Sequence, residues 1–231
     1  MSADDRKREA AEAAVAAEVR SGMAIGLGTG STAVHVVRAI ARRRAEGLLH
    51  GIVGVPTSEA TAALARELDL PLTTLSERPS LALCIDGADE IGPGLGLVKG
   101  LGGALLREKV VAGAAYRLAI VADGSKLVDR LGTRAPLPVE VIPFAEAVCA
   151  LALARLGCEP VLRVVDDAPF ITDEGNRILD CRFPDGIADP AALDLAIIRI
   201  PGVVEHGLFL GMAKVAYVAG EDGVAVRSSS T

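Results

Sequence analysis

Between Asp86 and Lys109 the chain reads DGADEIGPGLGLVKGLGGALLREK. Asp86, Asp89 and Glu108 supply three carboxylates, and Lys99 supplies a cation. Carboxylates and a lysine at the mouth of a strand–loop–helix unit are the parts of a proton-transfer site: one group takes a proton and another balances the charge that develops. Gly100, Gly102 and Gly103 leave their backbone N–H groups free of side-chain cover, so a ligand can approach closely. The same residues admit plainer readings. Asp86 and Asp89 can close the strand as an Asx turn. Glu108 can sit on an exposed helix face, paired with Arg107 or Lys109. The residue types alone leave both readings open.

These groups must be held by regular elements. Leu81–Ile85 is a short apolar run that reads as a buried strand ending at Asp86. Met23–Leu27 and Gly51–Val55 are similar runs, and Leu118–Val121 is a fourth. Each is followed by a helical pattern or a polar turn, so strands alternate with helices and a parallel sheet is expected. In such sheets ligands bind outside the carboxyl ends of the strands. Those ends carry Gly28–Thr32, Thr57–Ser58, Asp86–Asp89 and Asp123–Lys126. The Gly-Thr-Gly-Ser-Thr turn precedes a helix that Ser31 or Thr32 can cap, and it can cradle a single phosphate. It can equally be a capped turn with no ligand. It lacks the Walker lysine and the G-x-G-x-x-G spacing, so a nucleotide site is not indicated. Lys7 lies on an N-terminal helix, where a solvated charged face explains it as well as a ligand does. Lys126 is likewise either a phosphate contact or a solvated turn lysine.

The second half has a different rhythm. We expect strand 137–142, helix 144–156, strand 160–165, a return arm at 176–182, helix 190–199 and strand 203–210. That βαββαβ order is ferredoxin-like. Lys214–Val218 has no partner there and is placed back on the first sheet. The expected fold is α/β, a Rossmann-like parallel sheet domain with an inserted ferredoxin-like α+β domain. The expected division is 1–130 plus 211–231 for the larger domain and 131–210 for the smaller.

Composition narrows the partners. A net charge of −6 over 231 residues argues against nucleic acid, whose backbone needs a basic surface. No apolar run is long enough for a membrane span, and the charged N-terminus is unlike a signal peptide. Cys84, Cys149, Cys158 and Cys181 show no metal-like spacing, and they suit a reducing compartment as small core residues. His35, His50 and His206 share no ligand spacing either. The expectations are therefore a cytoplasmic protein, no metal and no cofactor.

The motifs also carry a resemblance. DGADEI and KGLGGALLREK, with GLGTGSTA at 26–33, VPTSEAT at 55–61, DGSK at 123–126, LPVEVIPF at 137–144 and IPGVVEHGLF at 200–209, resemble type A ribose-5-phosphate isomerase over nearly the whole chain. The resemblance implies interconversion of ribose 5-phosphate and ribulose 5-phosphate through an enediol. Glu108 would be the proton acceptor. Asp86 and Asp89 would hold sugar hydroxyls and assist ring opening, and Lys99 would stabilise the enediolate. Lys126 would contact the phosphate, with Lys7 reaching the same place. Thr29, Gly30, Ser31, Thr32, Gly87, Ala88, Gly100, Leu101 and Gly102 would complete the substrate contacts. Leu101 stands where many members carry glycine, although the spacing from Lys99 to Glu108 is kept. A homodimer is the family expectation. Two other classes are a sugar-phosphate sensor of a transcriptional regulator and an acyl-CoA transferase relative. The first needs a DNA-binding segment, the second a larger groove, and the sequence offers neither.

Overall fold

The computed structural model describes residues 2–229. The chain divides into two compact units. One takes the chain up to Ala88, Arg107–Lys126 and the chain from Gly211 onward; the other takes Asp89–Leu106 and Leu127–Leu210.

The first unit is built on a six-stranded sheet. Its order is Gly223–Ser228, Ala213–Gly220, Leu118–Asp123, Leu83–Asp86, Ala24–Leu27, Val53–Pro56. The last five run parallel, and Gly223–Ser228 closes the edge as an antiparallel hairpin arm. Ala24–Leu27 and Leu83–Asp86 are buried at every position, which is why they read as unbroken apolar runs rather than alternating ones. Helices Ala3–Glu18, Ala33–Ala45 and Glu59–Glu67 belong to this unit. Their apolar faces meet the sheet around Val15, Val36, Ile40, Ile25, Leu27, Ile85 and Val121. The first helix starts cleanly because Ser2 and Asp5 form a capping box. Ser58 caps the third, its hydroxyl accepting from the Thr61 N–H at 3.1 Å. The second helix departs from expectation. Thr32 is its first flanking residue, yet no side chain caps that end. The backbone there is already α-helical at Thr32, so the hydroxyl is not turned onto the following N–H groups.

The second unit holds a four-stranded antiparallel sheet ordered Val203–His206, Leu137–Val141, Arg177–Arg182, Glu159–Leu162. With helices Glu146–Ala154 and Pro190–Ile197 the chain order is βαββαβ, the expected ferredoxin-like arrangement. Cys149, Leu153, Leu193 and Ile197 from the helices share a core with Leu137, Val139 and Leu179 from the strands. Two expected strands are each split. The run 160–165 breaks at Arg163, and Val164–Val165 folds onto Ala168–Pro169 across Asp166 and Asp167, both at positive φ. The run 203–210 breaks at Gly207. Its second half, Leu208–Phe209, pairs with Leu97–Val98, which pairs with Glu90–Ile91. That small three-stranded sheet groups residues 89–106 with the second unit. Glu90 is fully buried and is satisfied by backbone: the N–H groups of Gly132, Arg134 and Ala135 donate to its carboxylate at 2.5, 2.6 and 2.8 Å. Among the described residues no helix is long and apolar enough to cross a membrane.

Candidate active site

The first unit gathers its polar groups at the carboxyl ends of its strands. Asp86 ends the third strand and is 1% exposed. Its Oδ1 accepts the N–H of Gly87 at 2.7 Å and the N–H of Thr29 at 3.1 Å. Gly28 makes this possible, since a β-carbon there would overlap the Asp86 carboxylate. Asp86 thus fastens the 28–32 turn, a long-range tie that an Asx turn within its own loop would not make. The Thr29 hydroxyl points into a cluster of hydroxyls, 2.7 Å from Thr57, 2.8 Å from Ser58 and 3.2 Å from Thr61. Thr57 and Thr61 donate in turn to the carbonyls of Leu27 and Gly28, both at 3.0 Å. Thr57 and Ser58 lie at a strand exit, as expected, and the structure adds that their hydroxyls hold Thr29. The signal for the cluster was present in VPTSEAT, three hydroxyls at a strand exit.

Gly30 and Ser31 are exposed at the tip of the turn, and Gly30 takes φ +102°. Lys7 Nζ donates to Ser31 Oγ at 2.9 Å, so the N-terminal helix brings a cation to the turn. Lys126 closes a short 3₁₀ turn after Leu118–Asp123. Burial alone would raise the Asp123 carboxyl, but hydrogen bonds from Ser125 and the positive fields of Lys126 and Lys7 outweigh it and hold Asp123 below its ordinary value. Lys7 and Lys126 therefore act on one carboxylate beside the strand ends. Glu108 lies on helix Leu105–Gly113 and is 3% exposed. Its neighbour Arg107 donates to Glu59 at 2.8 Å. The reading of Glu108 as an exposed surface glutamate is thereby overturned.

The second unit holds Asp89, Lys99 and the glycine loop. The Asp89 N–H donates to the Val98 carbonyl at 2.8 Å, and its Oδ2 accepts the Leu101 N–H at 2.9 Å. Lys99 is 2% exposed. Its N–H donates to Gly207 at 2.9 Å, and its ammonium stands 5.4 Å from the centre of the Phe209 ring. A cation so far from water is stabilised by that ring face. Positive φ falls on Gly100 and Gly103, at +99° and +84°, and not on Leu101. Leucine is therefore free of backbone strain at its position, and its side chain is 41% exposed. Sequence reading missed Phe209 and Arg163, whose partners lie far away along the chain.

Two of the three histidines have acidic partners, and His50 is exposed. His35 meets Asp4 at 3.0 Å, and His206 is buried with Asp194 at 3.4 Å. Among the described residues no group of three or more His, Cys, Asp or Glu side chains is disposed to hold a metal ion.

Comparison with known proteins bears on the chemistry. The family described as ribose 5-phosphate isomerase A (phosphoriboisomerase A) matches residues 53–223. The chain is 62% identical over 219 residues to ribose-5-phosphate isomerase A of Roseiflexus castenholzii, covering 94% of this chain and 93% of that one. It is 53% identical over 231 residues to the Gloeobacter violaceus protein of the same name, covering 100% and 99%. Among solved structures it is similar to ribose 5-phosphate isomerase A of Methanocaldococcus jannaschii, with TM-score 0.93, 41% identity and coverage of 98% and 100%. It is also similar to a D-ribose-5-phosphate isomerase in complex with phospho-erythronic acid, with TM-score 0.96, 37% identity and coverage of 99% and 100%. The buried Asp86, Lys99 and Glu108 thus stand in a chain that belongs to the ribose-5-phosphate isomerase A family, enzymes that interconvert ribose 5-phosphate and ribulose 5-phosphate.

Proposed function

We propose that Glu108 is the base of this isomerisation and that the reaction passes through an enediolate. Glu108 takes the proton from C2 of the open-chain aldose. The electron pair moves into the C1–C2 bond and onto O1. The proton returns to C1 while the O2 proton passes to O1, so that C2 becomes the carbonyl and C1 carries the hydroxyl of the ketose. Lys99 neutralises the charge that develops on the oxygens, a role in which a desolvated cation is more effective than a hydrated one. Asp86 and Asp89 hold sugar hydroxyls and assist ring opening. Gly87, Ala88, Gly100, Leu101 and Gly102 line the sugar. Thr29, Gly30, Ser31 and Thr32, with Lys7 and Lys126, take the phosphate.

The observation that carries this reading is the burial of Glu108. A glutamate so far removed from water does not belong to the solvated face of its helix. The Glu108→Gln variant keeps size and hydrogen bonding and removes the basic oxygen. Its kcat is expected to fall by about 10² to 10⁴, with KM and fold nearly unchanged. Solvent exchange of the C2 hydrogen should fall in parallel. Near wild-type turnover and exchange in this variant would move the base to Asp86 or Asp89. Phospho-erythronic acid, with a carboxylate and a phosphate at opposite ends of a short polyol, is expected to compete with ribose 5-phosphate.

The chain is further read as a cytoplasmic homodimer. Symmetric assembly is the common case, and the exposed apolar stripe Phe144, Val148 and Leu151 offers contact surface. Light scattering on the purified protein measures the mass in solution, and a monomer at working concentration contradicts the dimer.

A further inference from the structure

We propose that Arg163 is a positioning residue that presets the glycine loop 100–103 for substrate; this rests on the reading of that loop as a sugar contact. The guanidinium is fixed first by Asp180. Its Nε and Nη2 donate to the two carboxylate oxygens at 2.8 and 2.5 Å, a two-pronged pair, and the Arg163 side chain is only 11% exposed. The remaining Nη1 donates to the carbonyls of Gly100 at 3.2 Å and Leu101 at 3.0 Å. Arginine alone can do both, since its planar fork carries five donors in fixed directions. Its flat face also stands 5.8 Å from the centre of the Phe170 ring, and the same ring closes over Gly103, where a β-carbon would overlap it.

The consequence follows from peptide geometry. The C=O of Gly100 and the N–H of Leu101 belong to one planar trans unit and point in opposite directions. Arg163 holds the oxygen end, and Asp89 holds the N–H end at 2.9 Å. That peptide plane is gripped from both sides. In the next unit Arg163 holds the Leu101 carbonyl, so the Gly102 N–H is turned away from the guanidinium. The loop that follows Lys99 is therefore set in one conformation before a ligand arrives. Glycine at 100, 102 and 103 would otherwise leave it among the most mobile stretches of chain. Without the anchor, substrate must order the loop on binding, and the apparent affinity drops by the fraction of time the loop is competent.

Two variants and two readouts test this. In Arg163→Ala, amide hydrogen exchange at Leu101 and Gly103 in the ligand-free enzyme should accelerate by at least about tenfold, with the strand amides of the second unit unchanged. KM for ribose 5-phosphate should rise by about tenfold or more while kcat stays within about threefold, because a saturated loop reaches the same complex. Arg163→Lys keeps the charge but cannot serve Asp180 and two carbonyls together, so it should fall between wild type and Arg163→Ala in both readouts. It also carries the test if the alanine variant does not fold. A purely structural role would lower the melting temperature and leave KM alone. Unchanged exchange at Leu101 and Gly103 overturns the proposal by itself. Faster exchange with an unmoved KM overturns the loop as a substrate contact, and the proposal with it.

Discussion

Two glycine-rich turns, one in each unit, are fastened by the two aspartates of the same DGAD motif. In the first unit Asp86 accepts the N–H of Thr29 and fixes the 28–32 turn. In the second Asp89 accepts the N–H of Leu101 and fixes the 100–103 loop. The means of completing each grip differ. The first turn is backed by hydroxyls of Thr57, Ser58 and Thr61, and its tip faces solvent beside Lys7. The second is held by its own carbonyls, through Arg163. The lesson is that glycine serves two purposes here. Gly28 is glycine because a carboxylate lies against it. Gly100 is glycine because the backbone must adopt positive φ.

The comparison can be broken most forcefully at Gly100. A β-carbon there meets Leu105 and must sit at φ +99°, so Gly100→Ala should cost about 2–5 kcal/mol, overpacking and left-handed strain together. Gly28→Ala carries no left-handed strain, but its β-carbon would overlap the Asp86 carboxylate and lie 2.6 Å from the Asp86 Cα, so overpacking alone should cost about 3 kcal/mol. Chemical denaturation measures both losses, and a loss under about 1 kcal/mol in either variant refutes the reason given for that glycine. A second contrast lies in the aspartates. Asp86→Ala strands two N–H donors beside a fully buried site, for about 2–6 kcal/mol at about 1–3 for each. Asp89→Ala strands one at a half-buried site and should cost less. Equal losses would mean that the two ties are not comparable.

Where the first turn enters its helix, Thr32→Val removes a hydroxyl that no helix cap uses. KM for ribose 5-phosphate should rise by about tenfold or more, the weight of one hydrogen bond to a charged group. Turnover of unphosphorylated ribose should barely change, and an equal loss for both sugars would remove the turn from the phosphate site.

The smallest effect concerns acid. Asp123, in the first unit, is held below its ordinary 3.8, so its contribution is present above that pH and is lost as pH falls through the lowered value. Glu140, in the second unit, is raised above its ordinary 4.5 by burial, against the hydrogen bonds from Asn176 and Thr172. Its contribution is full below 4.5 and is lost as pH rises through the raised value. Glu140→Gln should therefore flatten the stability profile on the alkaline side of 4.5, and Asp123→Asn should flatten it on the acid side of 3.8. Slopes that move together in both variants would show that the units do not respond oppositely.

Much of this was legible in the sequence because each strand of the parallel sheet is a short buried apolar run with a polar, glycine-rich exit. The edge arm Gly223–Ser228 was not read, since it is largely exposed and lacks such a run. Glu90–Ile91 and Leu97–Val98 were missed because two-residue strands carry no periodicity and exist only by pairing, the first with the second and the second also with Leu208–Phe209. Asp86, Asp89, Lys99 and Glu108 stood out by type and spacing. What spacing could not show was how each is held. Phe209 under Lys99 and Arg163 over the glycine loop are contacts made across long stretches of chain.

The order of strands also governs how the chain is made. Leu118–Asp123 stays the open edge of the first sheet until Ala213–Gly220 joins it. The whole of the second unit's larger segment is synthesised in between. At about 5–20 residues per second, the roughly 90 intervening residues take about 5–20 seconds on the ribosome. For that interval an apolar strand, Leu-Ala-Ile-Val-Ala, offers unpaired backbone to any neighbouring nascent chain. The hazard in this molecule lies in the order of translation, and it ends when the last parallel strand leaves the exit tunnel.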